Sequence, residues 1–173
     1  MSEVFIISDT HFGHRGIISF SETKPFRPFD TIEEHDAELV RRWNSVVGPK
    51  DIVWHLGDFC FGKRNIDIAA QLNGSKRLVM GNHDMYGIEG YLKYFDRVFG
   101  CSEYKGMIFS HMPVHPNQFP RYYMNVHGHL HTKFVLKDDG TRDFRYFNSS
   151  CEQINLTPVP LDEIYNYWCE NHG

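Results

Sequence analysis

The chain has 173 residues, of which 41% are hydrophobic, 15% aromatic and 23% charged. That profile excludes a disordered or low-complexity protein and fits a single globular domain over 1–173. Eighteen Lys and Arg against 22 Asp and Glu leave a formal charge of −4, which argues against a basic nucleic-acid track. No apolar run approaches the roughly 18 residues of a membrane span, and the N-terminus turns polar too early for a secretory leader. Cys60, Cys101, Cys151 and Cys169 lack CxxC spacing, so a cytoplasmic protein with no membrane partner is expected.

"VFIIS", Val4 to Ser8, is a short apolar run with the form of a strand buried on both faces, and it ends in "DTHFGH". "FDTIEEHDAELVRRWNSVVGP" predicts a helix. Asp30 or Thr31 is its N-cap, Glu33 or Glu34 follows three residues on, and Leu39, Val40, Trp43, Val46 and Val47 recur at helical spacing before Gly48-Pro49. "DIVWHLGDF" predicts a strand from Asp51 to Leu56 that ends in Gly57-Asp58. "IDIAAQLNG" predicts a helix closed by Asn73-Gly74, "KRLVMGNHD" a third strand ending in Gly81 to Asp84, and a helix follows over about 88–95.

In the second half, "RVFGCSEYKGMIFSHMP" predicts two strands around a Lys105-Gly106 turn, with His111 at the end of one. "MNVHGHLH", then "TKFVLKDDGTRDFRYFN" with its Asp139-Gly140 hairpin signal, and a last strand to about Pro158 are expected to be antiparallel. A helix over about 161–170 closes the chain. The long loop 111–121, rich in Pro and aromatics, is a candidate pocket rim. Strand-helix alternation followed by a run of strands argues for a layered α/β domain with mixed sheets.

Eleven histidines raise the expectation of metal or acid-base chemistry. "VHGHLHT" places His127, His129 and His131 at alternate positions, which an extended backbone would aim to one face. Asp9 and His11, Asp58, Asn82 with His83 and Asp84, His111, and His129 with His131 all sit where strands end. Ligands of open α/β sheets bind beyond the carboxyl ends of strands, so these positions are expected to converge. Carboxylates and imidazoles without thiolates suit Mn²⁺, Fe²⁺, Ni²⁺ or Zn²⁺. Asp58 has two oxygens and can bridge two ions, Asn82 adds no charge, and Gly57, Gly81 and Gly128 permit turns that a β-carbon hinders.

The set "DTH", "GDF", "GNHD", "SH" and "GHLH" resembles the calcineurin-like metallophosphoesterase superfamily, and its spacing looks like that of small phage-type and bacterial phosphoesterases. The resemblance runs from about Asp9 to Thr132. It implies a four-layer α-β-β-α sandwich of two mixed sheets with a binuclear metal centre at the strand ends. Asp9, His11, Asp58 and His131 would hold one divalent ion; Asp58, Asn82, His111 and His129 would hold the second. Mn²⁺ leads, with Fe, Ni²⁺ or Zn²⁺ as alternatives. The implied reaction is hydrolysis of a small phosphomonoester or phosphodiester by a metal-bridging hydroxide. By the same resemblance, His83 would protonate the leaving oxygen and Asp84 would hold its ring.

His14 and Arg15 are expected at the substrate. Arg27 and Arg121 are either oxyanion partners or solvated side chains, His55 and His127 are structural or support a ligand, and His35 and His172 carry no signal. Two alternatives stand beside the phosphohydrolase: a non-catalytic interaction scaffold and a nuclease-type phosphodiesterase. The presence of every ligand position and of His83 favours the enzyme.

Overall fold

The computed structural model describes residues 2–172. Its first sheet holds five strands in the spatial order β4 (Arg97–Phe99), β3 (Ser75–Val79), β2 (Ile52–His55), β1 (Val4–Ile7) and β9 (Val159–Pro160). The first four are mutually parallel, and β9 runs antiparallel on the edge beside β1. A proline is tolerated there because an edge strand has an unpaired side. Side chains alternate between faces, so each apolar run buries two surfaces. Phe5, Ile7, Val53 and Leu78 pack under helix α1 (Ile32–Val46) against Leu39, Trp43 and Val47. Ile6, Trp54 and Val79 face the other way.

The second sheet, in the order β5 (Cys101–Tyr104), β6 (Met107–Ser110), β7 (Met124–His127) and β8 (Tyr146–Asn148), meets that second face. Met107, Phe109, Met124 and Val126 join Ile6, Trp54 and Val79 in one core, and helix α3 (Leu161–His172) adds Leu161 and Ile164. The architecture is therefore two mixed sheets with helices, as expected. On the outer side of the second sheet, the Val114 N–H donates to Asn125 Oδ1 at 2.9 Å and Tyr146 O–H donates to the Val114 carbonyl at 2.7 Å. Among the described residues, no helix is long and apolar enough to cross a membrane.

Several local expectations change. The segment after β2 is a 3-10 helix, Lys63–Gln71, not an α-helix; its buried residues Ile66 and Ala69, with Leu72 just beyond, recur every third position, the period of that tighter turn. Helix α2 is only Ile88–Tyr91, because Gly90 lies inside it and weakens continuation. In the second sheet β6, β7 and β8 are parallel neighbours, and β5 pairs antiparallel with β6 across Lys105-Gly106; the last strand, β9, is antiparallel as expected, but to β1 in the first sheet. The long segment between β6 and β7 returns the chain to its starting end, as parallel pairing requires. Asp139-Gly140 makes a tight turn carrying a single bridge, Leu136 to Arg142, rather than a hairpin ladder.

Helix α1 begins as its sequence suggests, with Thr31 as N-cap. The Thr31 side chain accepts from the Glu34 N–H at 3.2 Å while the Glu34 carboxylate accepts from the Thr31 N–H at 3.3 Å. Thr31→Ala should cost about 1 kcal/mol of unfolding free energy, the usual worth of such a cap, read as a lower urea midpoint at unchanged slope. An unshifted midpoint would show that tertiary packing alone holds the first turn.

Candidate metal centre

The loops that leave β1, β2, β3, β6 and β7 meet at one end of the two sheets. Backbone hydrogen bonds splice them together: the Asp9 N–H donates to the Gly57 carbonyl at 2.9 Å, His11 to Asp58 at 3.0 Å, and Gly128 to His111 at 2.9 Å. Five chemistry-bearing residues there adopt left-handed backbone: Asp9 (φ 57°), His11 (49°), Asp58 (57°), His129 (68°) and His131 (48°). Such conformations are uncommon outside glycine and persist where the surroundings over-determine them. They also correct the extended reading of "VHGHLHT". β7 ends at His127, and His129 and His131 lie on a loop beyond it.

Two groups of side chains result, Asp9 with His11 and His131, and Asp58 with His111 and His129, each with ligand atoms within 4.8 Å of one another. Asp58 stands between the groups, its Oδ2 3.6 Å from His11 Nε2 and 3.3 Å from His111 Nε2. Asp9 Oδ1 lies 3.9 Å from the Nε2 atoms of both His11 and His131. Asn82 Oδ1 is 3.0 Å from His111 Nε2. His111 Nδ1 donates to the Leu56 carbonyl at 2.8 Å, which directs its Nε2 into the centre.

The donor set fits divalent cations. His11 is 2% exposed, yet neither of its ring nitrogens has a hydrogen-bond partner. An unpaired buried polar atom is costly, and a cation on the imidazole lone pair would satisfy it. The electrostatics point the same way. Burial alone would lower the His111 pKa, but Asp58 and Asp9 outweigh it and raise it to about 9. Carboxylates that stabilise an imidazolium also attract a metal ion. The packing leaves no slack: a β-carbon at Gly81 would land on the Asp58 carboxylate, and one at Gly128 on that of Asp9.

Behind the centre lies a network that sequence reasoning missed. Arg27, entirely buried, is neither solvated nor at a substrate oxyanion. It donates to the carbonyls of Asp9 (2.6 Å) and Thr10 (3.2 Å), to Glu152 Oε1 (2.7 Å) and to His35 Nε2 (2.8 Å). His35 Nδ1 in turn donates to Asp36 (2.8 Å), whose other oxygen accepts the Gly13 N–H at 2.8 Å. Glu152 Oε2 accepts from His131 Nδ1 at 3.1 Å, fixing that ring with its Nε2 toward Asp9. Burial opposes ionisation of Glu152, but Arg27 and His131 outweigh it and bring its pKa to about 2. Ser150 O–H donates to Asp9 Oδ2 at 2.9 Å. "FRPF" and "CEQ" announce none of this.

The remaining candidates divide. His83 is exposed, its ring centroid 5.6 Å from that of His11, and its backbone N–H donates to Asp58 Oδ1 at 2.8 Å. Asp84 does not hold the His83 ring. Its carboxylate accepts the N–H groups of Asp58 (2.7 Å), Phe59 (3.0 Å) and Gly81 (2.8 Å) and the Tyr91 hydroxyl (3.2 Å), which uses its acceptor capacity. It braces the loop that carries Asp58. His14 faces the centre, 5.3 Å from His11, whereas exposed Arg15 lines a separate cavity with Lys24 and Glu33. Arg121 is exposed over the Tyr122 ring. His55 donates to Thr10 Oγ1 (2.9 Å), and His127 to the Gly128 carbonyl (2.7 Å); both are buried supports of these loops. His172 stacks on Trp168.

Comparison with known proteins shows the family. An uncharacterized protein of Methanocaldococcus jannaschii is 36% identical over 95% of this chain and 90% of its own length. The gene 66 protein of Mycobacterium phage L5 is 31% identical over 81% of this chain and 74% of its own. The crystal structure of a protein of unknown function from Aquifex aeolicus superposes with a TM-score of 0.72 at 26% identity, covering 96% of this chain and 99% of that one. The model of the calcineurin-like phosphoesterase family matches residues 3–171, and the chain belongs to that family.

Proposed function

We propose that the protein is a metal-dependent phosphohydrolase acting on a small phosphomonoester or phosphodiester. One observation carries this reading: the Asp9–His11–His131 and Asp58–His111–His129 groups meet where Asp58 Oδ2 approaches both His11 and His111, and the buried His11 ring has no hydrogen-bond partner. Asp9, His11, Asp58 and His131 would hold one divalent ion, and Asp58, Asn82, His111 and His129 the other. Mn²⁺ is the first choice for this oxygen and nitrogen set, ahead of Fe, Ni²⁺ or Zn²⁺. When bound, such ions supply Lewis acidity toward phosphoryl oxygens and water.

The chain's own residues supply the rest. His83, whose backbone N–H donates to Asp58 Oδ1 and whose exposed ring lines the cavity, would hand a proton to the leaving oxygen. Water is the nucleophile, and its single displacement inverts phosphorus. Cys60 and Cys151 are buried, and burial pushes both thiols up, Cys60 to about 12, so neither offers a thiolate. Unpaired cysteines support a cytoplasmic workplace.

The first test is hydrolysis of nitrophenyl phosphate and bis-nitrophenyl phosphate by protein stripped of metal and reloaded with Mn²⁺, Ni²⁺, Zn²⁺ or Mg²⁺. Turnover only after reloading is expected; silence with every metal while two ions bind per chain would favour an interaction scaffold. His83→Ala should cost about 10²–10⁴-fold on an alkyl phosphate and far less on a nitrophenyl ester, which needs little protonation. Equal losses would remove His83 from the acid role. Glu152→Gln should weaken metal binding about 10–100-fold in a chelator competition while the circular dichroism spectrum stays native. Unchanged affinity would mean that His131 needs no such partner.

A further inference from the structure

We propose that the cavity beside the metal centre seats the organic half of the ester and selects a flat aromatic ring, aryl or nucleobase. The proposal rests on the phosphohydrolase reading and names its substrate class. The cavity has a volume of about 420 Å³. Three of its lining residues, His11, His83 and His131, belong to the metal centre or the proton donor, and Ile17 and Phe20 give it an apolar wall. An ester with its phosphoryl group at the centre therefore has this space for whatever lies beyond the bridging oxygen.

Phe20 lines the space directly, and Phe61 stands behind the lining residue His14. Phe20 is 52% exposed and Phe61 46% exposed, two large apolar surfaces left in water. A single exposed aromatic needs no explanation, but these two meet on His14. Phe61 stacks on the His14 ring at 4.5 Å with 21° between planes, while Phe20 approaches it edge-on at 5.8 Å and 72°. Phe61 also lies 6.2 Å from His83, so the aromatic group adjoins the residue that protonates the leaving oxygen. The backbone is cut to let them close: a β-carbon at Gly16 would stand 2.7 Å from Phe20 Cζ and 3.0 Å from His14 Nε2.

Size and charge narrow the class. The volume sits near the lower end of the ~300–1,000 Å³ typical of small-molecule pockets, which suits one ring system with a sugar rather than a polymer strand. Glu22, the carboxylate among the lining residues, pairs with Lys133 at 3.1 Å, so the rim does not repel a phosphate anion. Base or ring stacking on an aromatic side chain, measured by alanine substitution, is worth enough for about tenfold or more in affinity.

The experiment is calorimetric titration of metal-loaded protein with phenylphosphonate, methylphosphonate and the 5′-methylene phosphonate of adenosine, whose carbon–phosphorus bonds resist hydrolysis. Phenylphosphonate should bind about tenfold more tightly than methylphosphonate. Phe20→Ala should erase that advantage and shift methylphosphonate by less than about twofold, and Phe20→Tyr should restore it. Tighter binding of the adenosine compound than of phenylphosphonate assigns a nucleobase; the reverse assigns an aryl group. Metal-dependent methylphosphonate binding with no gain from the phenyl ring, or equal weakening of both by Phe20→Ala, overturns the ring seat alone. Failure of every phosphonate to bind overturns the phosphohydrolase reading with it.

Discussion

A guanidinium without access to water organises this molecule. Arg27 reaches the Asp9 and Thr10 carbonyls, His35 and Glu152, and so ties together the loop after β1, helix α1 and the segment that follows β8. A charge buried this completely is tolerable only when paired and when its donors are used; removing the partner of such a pair typically costs about 3–5 kcal/mol. Glu152 supplies the pairing charge, and neutral His35, its pKa lowered by burial, supplies an acceptor. The same Glu152 turns His131 toward Asp9. One ion pair thus decides where two elements of the candidate metal centre sit.

Asp9, His11, Asp58, His129 and His131 all occupy left-handed backbone, and each such residue costs free energy that the scaffold must offset. The offset is visible in the loop-to-loop hydrogen bonds and in Asp84, whose carboxylate gathers three backbone N–H groups around Asp58. Glycines 81 and 128 then let other backbone come against the carboxylates of Asp58 and Asp9. The candidate ligand positions are set by backbone rather than by long, adjustable side chains, and preorganisation of that kind is what metal and phosphoryl chemistry reward.

The readily legible features were those written locally. β1, β2 and β3 are continuous apolar runs, α1 carries its own capping box and stop, and the His, Asp and Asn residues that the structure gathers stand directly after strands. What escaped depends on distance or on burial against type. Arg27 and Glu152 are 125 residues apart, and arginine is normally a surface residue. The family resemblance implied that Asp84 holds the His83 ring; only the folded chain reveals that its acceptors are taken by the neighbouring loop. The parallel pairing of β6, β7 and β8 was hidden for a similar reason, since a short apolar run carries no mark of its direction.

The span of the Arg27–Glu152 pair also sets an order of events. As the chain is synthesised, Asp9, His11 and Asp58 emerge early, but Arg27 has no counter-charge until Glu152 has followed and β8 has paired with β7. Closing so long a loop is entropically unfavourable and comes late, so the contacts that orient His131 form only with the nearly complete fold. Partly folded chains therefore lack the organised pair of candidate metal-ligand groups. A candidate metal centre assembled from distant loops is thus completed only by folding itself.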